Sequence, residues 1–165
     1  MRTSSWLLLA LLMGLSACAS VRNVVLVSDP LSCEEHAELG TSYAEQKMTG
    51  EAEKEFRAGL RKKKDCTSVQ AAMEANNLAM VLLTENKDLD EARRLARAAL
   101  EDAGPARPYV LDTLAEIDAK TGRISEARLA LDHADMIAPA NDKALLNQLA
   151  DTRKKLPELP KTHPL

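Results

Sequence analysis

The sequence predicts an all-α protein built of paired helices, and three observations predict it. Within residues 109–139, small and branched apolar residues fall at Leu111, Leu114, Ala115, Ala127, Leu131 and Ala134. They lie three or four apart within each half, so each half presents one apolar face of a helix. Between the halves, Lys120-Thr121-Gly122-Arg123 places a glycine where a helix must stop and turn back, and Pro139 ends the second half, since proline cannot continue a helix. The third observation is compositional. Hydrophobic residues make up 45 % of the 165 residues but aromatics only 2 %, so the core must be made of Ala, Leu, Ile and Val, as where helices pack closely.

The ladder Leu114, Ala115, Gly122, Ala127, Leu131, Ala134 and Pro139 resembles the tetratricopeptide repeat. A second copy covers 34–64, with Leu39-Gly40, Tyr43, Ala52, Phe56 and Gly59 in the corresponding places. It departs from the pattern at Lys64, where proline is usual, and breaks instead through Asp65-Cys66-Thr67-Ser68. The middle copy carries Leu78, Ala79, Leu82, Ala92, Ala96 and Ala99. From Leu78 to Ala92 is fourteen steps, against thirteen in the other copies, so one residue is added to its turn near Asn86-Lys87-Asp88-Leu89. Asp88 followed by Glu91 has the form of a capping box. Residues 67–71 precede this copy as an extra stretch, and its first helix is expected to begin early with Ser68 as cap. Gly104-Pro105 closes it.

The resemblance implies a tetratricopeptide-type α-solenoid, with repeats at about 33–66, 72–106 and 108–140. One hairpin cannot bury its own apolar face, so three are needed, and the last requires a cover with a polar outer side. Residues 141–156, with Ala144, Leu145, Leu149 and Ala150 on one side, suit a C-terminal capping helix. Residues 157–165 carry three prolines and read as an extended tail.

At the amino terminus, Met1-Arg2-Thr3-Ser4-Ser5 carries one positive charge, and residues 6–15 form an almost unbroken apolar run. That run is shorter than the roughly 20 residues a permanent membrane helix needs, so residues 1–17 read as a signal peptide. Leu15-Ser16-Ala17-Cys18 resembles a bacterial lipoprotein box. The resemblance implies cleavage before Cys18, diacylglycerol on its thiol and a further acyl chain, such as palmitate, on the new amino group. Several acyl chains would anchor the protein firmly, since each buried CH₂ contributes about 0.8 kcal/mol. Ala19 stands where aspartate would signal inner-membrane retention, which implies an outer-membrane lipoprotein facing the periplasm. Residues 18–32 are then the lipidated cysteine and a tether. The apolar run at 24–27 either augments a partner as a strand or covers apolar surface at the first repeat, and Asp29-Pro30 breaks regular structure before the domain.

Cys33 and Cys66 occupy the first and last positions of the first repeat. Antiparallel helices bring those ends together, and an exported protein meets an oxidising compartment, so a disulfide is expected. It would close a loop of about 33 residues, worth about 3–4 kcal/mol in the chain-entropy model. The functional alternative is a redox or metal site. His36 lies three residues from Cys33, but no second pair of ligands accompanies them, which argues against zinc.

No catalytic constellation emerges. His36 and His133 lie among acidic neighbours, as on any charged helix surface, and neither a nucleophile elbow nor a glycine-rich phosphate loop is present. No cofactor is implied, and a net charge of −3 gives no basic excess for nucleic acid. The family instead lines a groove with the first helix of each hairpin. The positions that correspond include Thr41 from the first copy, Met73, Asn76, Asn77, Met80 and Leu83 from the middle copy, and Tyr109, Asp112 and Glu116 from the last. Methionines there suit an adaptable apolar patch, unless the run at 24–27 or the capping helix covers some of it. A carboxylate clamp of the chaperone type is not expected, because Ala37, Thr41, Tyr109 and Thr113 hold its positions and only Asn77 matches. The functional expectation is a non-enzymatic, lipid-anchored periplasmic adaptor in envelope assembly, such as secretin or pilus biogenesis, holding a peptide segment or helix of an envelope protein. The alternative is a non-catalytic regulatory subunit of a peptidoglycan-related enzyme.

Overall fold

The computed structural model describes residues 29–158. The expected signal peptide at 1–17, Cys18, the apolar run at 24–27 and residues 159–165 of the tail lie outside the described residues. Seven α-helices are present among the described residues: α1 Cys33–Glu45, α2 Thr49–Arg61, α3 Ser68–Thr84, α4 Leu89–Asp102, α5 Arg107–Lys120, α6 Ile124–Ile137 and α7 Lys143–Lys155. Two 3₁₀ turns, Lys63–Asp65 and Gly104–Ala106, join α2 to α3 and α4 to α5. No strand occurs among the described residues, so the protein is all-α there. No described helix is long and apolar enough to cross a membrane.

Local chemistry sets the helix starts. Ser32 caps α1 through a capping box: its hydroxyl accepts from the Glu35 N–H at 3.2 Å, and the Glu35 carboxylate accepts from the Ser32 N–H at 2.7 Å. Thr67 and Gln70 form the same box at α3. The cap expected at Ser68 thus falls one residue earlier. Thr67 has Gln70 three residues on to reach back to its N–H, whereas Ser68 has Ala71 there. At α4, Asp88 accepts from the Glu91 N–H at 3.1 Å. The return half of that box is missing because Arg57 of α2 takes the Glu91 carboxylate, two nitrogens to two oxygens at 2.7 Å each.

All three hairpins turn by one device. The Lys47 N–H donates to Ala44 O and the Met48 N–H to Tyr43 O; Asn86 and Lys87 repeat this with Leu83 and Leu82; Gly122 and Arg123 repeat it with Ala119 and Asp118. This is the Schellman pattern, which needs a left-handed residue just past the helix. Lys47 (φ 61°), Asn86 (φ 53°) and Gly122 (φ 80°) hold that place. The middle turn carries one residue more, Asp88, which is also left-handed at φ 40°.

The helices pair as α1 with α2, α3 with α4 and α5 with α6. Each pair stacks on the next through α2 against α3 and α4 against α5, and the first helices also touch in series. α7 stands beside α5 as α5 stands beside α3, with no second helix to pair it among the described residues. All these helices belong to one compact unit beginning at Leu31. One core cluster, including Phe56, Leu78, Ala79, Leu82, Ala92 and Ile117, runs through all three pairs. A second, including Leu111, Ala115, Ala127, Leu131, Leu145 and Leu149, joins the third pair to α7. Ion pairs tie successive pairs: Arg57 to Glu91, Lys87 to Glu53 at 2.6 Å, Arg93 to the buried Asp118, and Arg153 to Asp132 and Asp135.

Two glycines permit close approach. A Cβ on Gly40 would stand 2.6 Å from the Phe56 ring, and one on Gly59 would stand 1.9 Å from Glu74 Oε1. Gly40→Ala is therefore expected to cost about 1–3 kcal/mol by overpacking. Lys47→Gly should instead stabilise by about 1 kcal/mol, since it relieves a left-handed Lys on an exposed turn. Urea unfolding followed by circular dichroism checks both, and the two changes must have opposite sign.

Candidate functional site

The face of α1 and α3 opens into two connected clefts. One, of about 580 Å³, is lined by Thr41, Ala44, Asn77, Met80, Val81 and Thr84, with Phe56 beneath. The other, of about 500 Å³, shares Thr41, Glu45 and Asn77 with the first and continues past Ala37 and Met73 to Glu74 and Cys66. Both owe their shape to small residues on α1, where Ala37, Gly40, Thr41 and Ala44 leave room beside the larger side chains of α3. Met80, 43 % exposed, is the more exposed of the two methionines lining the clefts. The Thr41 and Thr84 hydroxyls bond back to Ala37 O and Met80 O, so the walls present their methyl groups. Glu34, Glu38, Glu45 and Glu85 stand along the clefts, with Lys47 as the one cation lining them among the described residues.

The nine expected groove residues do not form one surface. Thr41, Met73, Asn77 and Met80 line these clefts. Asn76 is buried, its Nδ2 turned to Met80 Sδ at 3.8 Å. Leu83 and Glu116 line a separate cleft of about 430 Å³ toward Lys120, Thr152 and Leu156. The residues of α5 are engaged by α7. The Tyr109 hydroxyl donates to Asp142, Asp112 accepts from Gln148 Nε2 at 2.6 Å, and Glu116 accepts from the Thr152 hydroxyl at 3.3 Å. Asp142 also caps α7 by accepting from the Leu145 N–H. The Tyr109 hydroxyl bond, with the helix N–H groups, holds the Asp142 carboxyl below its usual range. The two connected clefts thus belong to the first two pairs, and the cleft at Leu83 and Glu116 opens separately beside α7.

Cys33 and Cys66 lie at disulfide-bonding distance, with Cα atoms 5.8 Å apart. Cys33, first residue of α1, is fully buried, whereas Cys66 is half-buried and lines the cleft. Against them sits Glu74, a residue the sequence reading passed over. It is 1 % exposed, its Oε2 lies 3.3 Å from Cys33 Sγ, and its Oε1 has no hydrogen-bond partner. The absent side chain of Gly59 makes the space for it. Burial without a bonded cation pushes its carboxyl up to about 7, against a smaller opposing pull from His36. His36, also buried, directs Nδ1 to Glu55 Oε2 at 2.8 Å. A bonded sulfur carries no proton, so in the disulfide form the Glu74–Cys33 contact is a hydrogen bond only when Glu74 holds one.

A sequence signal for Glu74 did exist. It stands four residues before Leu78, as buried Val110 stands four before Leu114, so the middle copy has an acid where the last has an apolar residue. Cys33, Cys66 and Glu74 bring three metal-ligating atoms within 4.8 Å of one another, but sulfurs joined to each other are not thiolate ligands.

The raised pKa fixes a pH dependence. Between the ordinary Glu value of 4.5 and about 7, the folded chain keeps a proton that the unfolded chain has released. Stability is therefore full below 4.5 and falls as pH rises through about 7. The loss should be on the order of 3 kcal/mol, and Glu74→Gln should remove most of it. Urea midpoints of both proteins between pH 4 and pH 8 check this, and parallel profiles would refute it. No protein-family model and no curated protein matches the chain, so its site is read from its own geometry.

Proposed function

We propose that the chain is a tetratricopeptide-type α-solenoid, anchored by lipid at Cys18 to the periplasmic face of the outer membrane. There it serves as a non-enzymatic adaptor in envelope assembly of the secretin or pilus kind. The observation that carries the reading is the open face of α1 and α3. It combines an apolar floor at Ala44, Met80 and Val81 with acids along its length at Glu34, Glu38, Glu45 and Glu85. Such a surface suits a peptide segment or helix with apolar anchors and basic flanks: methionine adapts to the anchors, and the acids steer the approach and fix register. The common turn geometry of the three pairs and their serial stacking support the repeat assignment. The apolar run and small residues before Cys18 support the anchor.

The test is site-specific photocrosslinking in envelope preparations, with the full chain carrying a photoreactive residue in place of Met80 or of Leu129. Leu129 is exposed on α6, away from the clefts. A groove adaptor should give a discrete adduct from position 80 and not from 129. Met80→Asp should abolish capture, and raised salt should weaken it. Capture of a peptidoglycan-processing enzyme from position 80 would assign the same groove to the regulatory reading. Equal adducts from both positions would remove the groove from the proposal.

A further inference from the structure

A buried carboxyl group without a bonded cation is costly and ordinarily finds a partner. Glu74 has neither a cation nor a hydrogen bond to Oε1, and its other oxygen lies against a cysteine sulfur. The two sulfurs also differ in access. Cys33 is 0 % exposed, while Cys66 forms part of the cleft wall. An incoming thiol can therefore reach one sulfur only, and the sulfur it would displace is the one beside Glu74.

We propose that Cys66, Cys33 and Glu74 form a thiol–disulfide exchange site opening into the α1–α3 cleft. Cys66 is the attacked sulfur, Cys33 the leaving sulfur and Glu74 its proton donor. The co-reactant is a dithiol, small or carried by a protein. One of its thiolates attacks Cys66 Sγ, the Cys66–Cys33 bond breaks, and the electron pair stays on Cys33 Sγ. Glu74 gives that sulfur its proton and becomes a carboxylate, now accepting a hydrogen bond from the new Cys33 thiol. The second thiolate of the dithiol then attacks its own sulfur in the mixed disulfide. Cys66 leaves as a thiolate and takes a proton from water. The dithiol is oxidised to its disulfide and the protein disulfide is reduced to two thiols. In reverse, Glu74 takes the Cys33 proton as the bond re-forms.

The pairing of access with burial matters because exchange depends on which sulfur is attacked and on how well the other leaves. A thiolate expelled into an apolar interior is a poor leaving group, and proton donation at that moment removes the penalty. The titratable groups around Glu74 are His36 and Cys33 of α1 and Cys66 after α2, with Glu55 of α2 holding His36; the facing residue on α2 itself is the uncharged Gly59. The exchange chemistry needs no groove partner, so its assay on the chain alone tests it separately from the adaptor reading.

The experiment measures reduction of the full chain by dithiothreitol from pH 5 to pH 9, with each rate constant expressed per reagent thiolate. The wild-type constant should fall by about tenfold or more as pH rises through about 7, where Glu74 loses its proton. Glu74→Gln should be slow and flat, matching the wild type's high-pH limit. Superimposable profiles for the two proteins would overturn the proposal. A second measurement needs no variant. With glutathione as a monothiol trap, peptide mapping should place the mixed disulfide on Cys66. Glutathione on Cys33, or equally on both, would also overturn it.

Discussion

No helix pair in this protein buries its own apolar face, and the rest of the structure depends on that constraint. The core cluster that begins at Ala52 and Phe56 is completed by Leu78, Ala79 and Leu82 of the next pair and by Leu114 and Ile117 of the one after. Burial at these positions is contributed across element boundaries, so each pair is stable because its neighbour is present. The fit requires small residues. Ala52, Ala79, Ala92, Ala96, Ala115 and Ala127 are all fully buried, and each brings two backbones close without a void that aliphatic side chains would have to fill. Gly40 takes this to its limit by meeting the Phe56 ring with no Cβ between.

The same stacking rule explains where the open surface ends. α7 occupies the place a fourth first helix would take, and its cap and polar residues engage Tyr109, one carboxylate oxygen of Asp112, and Glu116. At the other end, α1 presents Ala37, Thr41 and Ala44, which are too short to fill the space beside α3. The clefts follow from that shortage of side-chain volume.

Much of the helix pattern was legible in the sequence because it rests on local chemistry. The three-and-four spacing fixed the faces, Gly122 marked a reversal, and the extra residue near Asp88 appeared as one step too many between Leu78 and Ala92. The turn at Lys47 was less legible. A left-handed lysine has no sequence signature, and it adopts that conformation because tertiary packing of α1 on α2 outweighs a local cost of about 1 kcal/mol. The site was only partly legible. Thr41, Asn77 and Met80 could be placed on a face from periodicity, but which faces stay open depends on α7, a long-range contact that spacing does not encode. Glu74 was the clearest omission. A glutamate within Ala, Met and Leu reads as the wet side of a helix until the absent side chain of Gly59, fifteen residues earlier, provides a dry place for it.

Cys33 and Cys66, at disulfide-bonding distance, close the first helix pair at its open end once joined, whereas α7 is held by Leu145, Leu149 and a surface ion-pair cluster around Arg153. In a linear stack, local opening begins where the terminal unit is least fastened. The helical stack therefore has a mechanical direction: a stiff first pair carrying the α1–α3 clefts and a seventh helix that opens first. Heat or force should peel it from the carboxyl end inward, so the clefts would be among the last features lost.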